Sequence, residues 1–166
     1  MASSTVSGPF TSTNGFVGAI TGTVGATTPA TGAFTTVTAS STVSATGNLS
    51  TSAYIQGSVG NALTAVGTNR ANSLALTKGI NNITSAASGT GVTLPNAATV
   101  GIGGSVIVFN GGANLIQVYG FDTGSGDTID GTAAATGVAL TNAKRCVYIC
   151  VAANTWISAQ LGVVSA

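Results

Sequence analysis

The stretch Ser105-Val106-Ile107-Val108-Phe109-Asn110-Gly111-Gly112-Ala113-Asn114-Leu115-Ile116-Gln117-Val118-Tyr119 carries the clearest structural signal in the chain. Two runs of β-branched and aromatic residues flank a turn of Asn and Gly, residues that tolerate positive φ. That pattern reads as a β-hairpin. Further strands are expected on either side of it. Upstream they are Ser73–Leu76, Asn82–Thr84 and Gly91–Leu94, the last stopped by Pro95. Downstream they are Gly137–Leu140, Arg145–Val151 and Trp156–Leu161, with Ala153-Asn154-Thr155 turning the last pair. Seven or so short strands at this spacing predict a small β-sandwich or jelly-roll-like domain over residues 70–166.

The composition agrees with an all-β chain. Gly, Ala, Ser and Thr fill 94 of 166 positions, and the Leu, Glu, Lys and Gln from which most helices are built are scarce. Only 4% of residues are charged, against about 25% in ordinary domains. Charge keeps copies of a protein apart in solution, so a chain this neutral is expected to bury much of its surface against copies of itself. The net charge of +1 offers no basic footprint for nucleic acid or an anionic membrane. No uninterrupted run of about 18 apolar residues is present, and the first residues lack the basic and apolar regions of a secretion signal.

The same numbers narrow the chemistry. There is no His and no Glu, and the only carboxylate side chains are Asp122, Asp127 and Asp130. Ser and Thr therefore lack the usual base partner, and no enzyme is expected. The three aspartates fall among glycines in Asp122–Gly131, which faintly resembles a calcium loop. The spacing and the missing terminal Glu depart from it, and aspartates capping backbone amides in a turn are the commoner outcome. Gly101-Ile102-Gly103-Gly104 precedes a strand rather than opening a helix, so it reads as a turn and not a phosphate loop. Cys146 and Cys150 lie four apart on one strand, about 13 Å along its axis and beyond disulfide reach. They read as buried thiols, with Val147, Ile149 and Val151 covering the opposite face. Lys144-Arg145, entering that strand, reads as a solvated edge. No cofactor is expected.

Residues 1–69 hold no charged side chain, and Arg70 marks a composition shift. Residues 1–25 are turn-rich with two isolated aromatics, Phe10 and Phe16, and read as an anchoring segment. Residues 26–69 are a Thr/Ser/Ala/Gly stretch with sparse apolar anchors such as Phe34 and Val37. One copy cannot close a core around them, whereas three copies about one axis can, giving an extended stalk. No strict period supports a regular solenoid. Phe10, Phe16 and Phe34 are the candidate contacts with a partner or with the trimer core.

Within that stretch, Gly25-Ala26-Thr27-Thr28-Pro29-Ala30-Thr31-Gly32-Ala33-Phe34-Thr35-Thr36-Val37 resembles a segment recurrent in bacteriophage fibre, spike and capsid-decoration proteins, with Val37 where Leu is usual. Gly91–Pro95, Val106–Tyr119, Gly126–Gly131 and Asn154–Trp156 are similar to a small β domain of the same proteins. The resemblance implies a β-rich homotrimer on a virion and no catalytic residues. At 166 residues the chain is short for a fibre that must reach a host. The expectation is therefore a capsid decoration (cement) or head-fibre protein, made in the host cytoplasm and seated on the major capsid protein. The alternative is a tail fibre, spike or adhesin module that binds a host surface glycan. It would need an exposed aromatic groove, and Trp156, Tyr119 and Tyr148 are the sizeable candidates.

Overall fold

The computed structural model describes residues 38–40, 43–44, 50–122 and 126–161. The chain divides into two units, Met1–Ser50 and Thr51–Ala166, and every element below lies in the second. Residues 1–25, the expected anchor, lie outside the described residues, as do Phe10, Phe16 and Phe34.

Ten strands make the unit all-β, and helix among the described residues is limited to two single turns. The strands are β1 (Val59–Ala65), β2 (Leu74–Ala75), β3 (Ile80–Ala86), β4 (Gly91–Thr93) and β5 (Ser105–Asn110). They continue as β6 (Ile116–Tyr119), β7 (Thr128–Ile129), β8 (Val138–Leu140), β9 (Lys144–Ala152) and β10 (Thr155–Leu161). A 3-10 turn, Arg70–Asn72, precedes β2, and one α-helical turn, α1 (Ala97–Val100), follows β4. β1 pairs within the unit although it lies upstream of the composition shift at Arg70.

Two mixed sheets share one core. The six-stranded sheet runs β1-β3-β5-β9-β10-β7 and the four-stranded sheet β2-β4-β6-β8. Up to β6 the chain alternates between them, and β1, β3 and β5 pair in parallel, as do β2, β4 and β6. The first half is thus wound as three irregular turns of a short solenoid. Val59, Ile80 and Ile107 stand in one row, 21 and then 27 residues apart. Coils of such unequal length leave no period to read. Of the remaining strands, β8 pairs antiparallel on β6 and β9 antiparallel between β5 and β10, while β7 adds to the edge of β10 in parallel. Parallel rows of this kind exclude a jelly roll, which is built from antiparallel strands.

The expected hairpin of Ser105–Tyr119 is not one. β5 pairs with β3 and β9, whereas β6 pairs with β4 and β8, so the two strands lie in different sheets. The connection is an arch that crosses the core edge. Asn110 is fully buried there, and its Nδ2 donates to the carbonyls of Asn114 (3.0 Å) and Leu140 (2.9 Å) while its Oδ1 accepts from Gly112 N (3.1 Å). These bonds satisfy backbone groups that no sheet ladder reaches. Gly112 is needed for space and not for positive φ: a Cβ there would lie 2.8 Å from the Ala86 Cβ.

The shared core comprises Ile83, Val92, Leu94, Val106, Val108, Ile116, Val118, Leu140 and the fully buried Trp156, with Tyr148 and both cysteines among them. Asp127 is buried against this core. Its Oδ2 accepts from Ala97 N (2.8 Å) at the start of α1 and from Trp156 Nε1 (3.4 Å). Asn96 caps the same turn, accepting from Ala98 N (2.8 Å). Asp130 accepts from Ser158 N (2.8 Å) and Ser158 Oγ (2.6 Å), which ties the end of β7 to β10. Asp127 and Asp130 cap backbone amides, as the turn chemistry suggests, but Asp127 does so from the interior and not from a surface turn, and Asp122 pairs with Arg70 instead.

Candidate interaction surface

Side chains alternate across a strand, so one parity of each strand faces the core and the other faces away. In β9, Cys146, Tyr148 and Cys150 are buried. Burial pushes the Cys146 thiol and the Tyr148 phenol up from their ordinary pKa values, favouring the neutral forms. Both cysteines are free. Cys150 Sγ donates to Ala97 O at 3.3 Å, so the thiols serve as core packing with weak donors.

The opposite parity, Arg145 apart, is also apolar but is left uncovered by the described residues. Val147 and Ile149 are only partly buried and Val151 is exposed, which corrects the expectation that this second face is also enclosed. Register extends the pattern across the sheet. Val59, Ile80, Ile107, Val147 and Ala159 form one row over β1, β3, β5, β9 and β10. Ser105, Ile149 and Ile157 form the row on one side, and Asn82, Phe109, Arg145 and Leu161 the row on the other. Val59 is 56% exposed, Ile157 45% and Leu161 44%. Arg145 is the only charged residue in these three rows, and its guanidinium sits 5.3 Å from the centre of the Phe109 ring. It does so on an interior strand, since β9 lies between β5 and β10. The Lys144-Arg145 pair is therefore not an edge device.

The outer face of the four-stranded sheet is built differently. Its side chains are small or polar, among them Ala75, Thr93, Gln117 and Ala139, and Tyr119 is laid across them. A Cβ at Gly91 would meet the Tyr119 ring at 2.6 Å, and one at Gly137 would meet it at 2.8 Å, so the ring lies flat over two glycines. Its hydroxyl donates to Thr68 O at 3.4 Å. Nearby, Arg70 pairs with Asp122 beside a cleft of about 200 Å³ lined also by Ser73, Thr93 and Phe121. Ser73 Oγ is bonded to Thr93 Oγ1 and Arg70 O, so the polar groups of this cleft are engaged with one another.

The remaining sequence candidates fall into place around these faces. Trp156, Tyr119 and Tyr148 are all buried, so they form no exposed aromatic groove. Gly101–Gly104 follows α1 and turns into β5, with Gly103 N donating to Cys150 O (2.8 Å). Asp122, Asp127 and Asp130 are directed at three separate partners: Arg70, the start of α1 with Trp156, and Ser158. The apolar rows of the six-stranded sheet are the feature that the sequence reading did not assemble. The signal was present in β5 and β9, whose apolar residues occupy both parities. Comparison with protein families, curated proteins and solved structures finds no match to this chain.

Proposed function

We propose that this chain is a structural protein of a bacteriophage particle, a homotrimer bound to the capsid shell as a decoration or head-fibre protein. The observation that carries this reading is the outer face of the six-stranded sheet, which stays apolar after the core has closed beneath it. A contiguous apolar patch on an otherwise finished subunit is a feature of protein–protein contact sites. A chain with 4% charged residues suits a life in a fixed assembly more than one free in solution. The resemblance of Gly25–Val37 to virion proteins supplies the kind of assembly.

In this reading the amino-terminal segment holds the particle, with Phe10, Phe16 and Phe34 as anchors. Three weak anchors on one trimer engage symmetry-matched sites on the major capsid protein and combine into avidity. Because the trimer binds the assembled shell and not free subunits, it stabilises the shell by mass action. Purified heads, separated from tails and analysed by mass spectrometry, should contain the chain in a copy number divisible by three. Its recovery on tails but not on heads would overturn the capsid placement.

A further inference from the structure

We infer that copies of this chain meet through the outer face of the six-stranded sheet, with the row Val59, Ile80, Ile107, Val147 and Ala159 at the centre of the contact. This rests on the oligomeric part of the proposed function and not on the capsid part. The register sets those five residues side by side on neighbouring strands. At about 4.8 Å per strand they span roughly 19 Å. Ile149 and Ile157 extend the apolar surface on one side, and Phe109 and Leu161 on the other.

Three observations identify a second copy as the occupant. The first is area. Val59, Ile80, Ile157 and Leu161 are 38–56% exposed, which at about 100 Å² for a fully exposed aliphatic side chain amounts to roughly 200 Å² of apolar surface, to which the partly buried Ile107, Val147, Ile149 and Phe109 add. A stable interface buries about 800 Å² per partner, a little over half of it apolar, so the patch supplies a large share of the apolar part of one such contact.

The second is charge. The rows carry one cation, Arg145, already placed against Phe109, and no carboxylate. A charged partner would find no complement here. The surface that fits is itself flat, β-branched and neutral, and this face meets that description. Three copies that turn this face toward a common axis bring their rows together as one shared apolar core, in keeping with a closed cyclic trimer.

The third is the absence of a penalty for self-association. With seven charged side chains in 166 residues, copies approach one another without the repulsion that keeps most domains apart.

The test is sedimentation velocity on the full chain at micromolar concentration, with Trp156 fluorescence as the report on the core. Wild type should sediment as an oligomer. Ile107→Asp, which sets a carboxylate in the central row, should sediment as a single subunit with unchanged Trp156 emission. Ala139→Asp places the same charge on the outer face of the other sheet and should leave the oligomer intact. If Ile107→Asp does not fold, Ile157→Ser, at a rim position, takes its place: association at least tenfold weaker supports the proposal and unchanged association overturns it. A wild-type chain that sediments as a single subunit also overturns it, as does an oligomer that survives folded Ile107→Asp. The two readings fail separately. Loss of the oligomer in Ile107→Asp with the chain missing from particles would sink the virion reading alone. An unaffected oligomer found on heads would sink only the assignment of the face.

Discussion

The two sheets of this protein have outer faces of opposite character. On the four-stranded sheet, Tyr119 lies over Gly91 and Gly137 and bonds to Thr68 O, and the Arg70–Asp122 pair closes the neighbouring cleft. The chain finishes that face by itself, using small residues to admit a large ring. On the six-stranded sheet, valines, isoleucines and a phenylalanine stand in register with nothing of comparable size laid across them among the described residues. One layer of the molecule is complete as a subunit, whereas the other has the composition of a core and the exposure of a surface. The hydrophobic effect stabilises the first on folding and would stabilise the second only if another surface came to cover it.

That contrast can be broken first on the closed side. Tyr119→Ala removes a buried ring and uncovers both glycines. It should lower stability by about 3 kcal/mol, read as a shift in the urea midpoint at fixed protein concentration. Gly91→Ala attacks the same contact from beneath, since its Cβ would lie 2.6 Å from Gln117 O and from the Tyr119 ring. Overpacking of this kind should cost about 1–3 kcal/mol by the same measurement.

The core between the sheets supplies a pH test of moderate size. Cys146 and Tyr148 have pKa values raised by burial, so the unfolded chain loses these protons at lower pH than the folded chain does. Their contribution to stability is therefore complete below about pH 8.5 and declines as the pH rises through the thiol and then the phenol range. Urea midpoints should be flat from neutrality to that point and fall above it, and Tyr148→Phe should flatten the later part of the fall. The smallest effect belongs to the open face. Ile157→Thr, introduced with Ile107→Asp so that subunits are separate, should change the folding free energy by no more than about 0.5 kcal/mol. A larger loss would mean that the face is already covered within one subunit.

Much of the strand inventory was legible in the sequence. Ser105–Asn110, Ile116–Tyr119, Gly91–Thr93, Val138–Leu140 and the β9–β10 hairpin stand where β-branched runs and turn residues put them. Val59–Ala65 was less visible, because in VGNALTA Gly60 and Asn61 are poor strand formers that break the alternation, and β1 carries a bulge at Ala62, whose φ is 55°. The Asn-Gly-Gly turn was misleading for a physical reason. Glycine there suggests positive φ and a hairpin, but the structure uses it to let the arch pass Ala86.

The candidate surface was half legible. Apolar residues at both parities of β5 and β9 announce a strand that is not simply half buried. They do not reveal that Val59, Ile80, Ile107 and Val147, drawn from four separate segments, share one row.

Composition and local pattern by themselves determined that this chain is β-structured, sparingly charged and without His or Glu, because those properties follow from residue types and short-range periodicity. Which strands are neighbours, that β5 and β6 belong to different sheets, and that among the described residues one outer face is closed while the other is open were decided by tertiary structure alone. A period of two tells each residue only which side of its strand it occupies. The partner across the ladder is chosen by the packing of the whole core, where Trp156, the Oδ2 of Asp127 and the buried Asn110 must find their partners together.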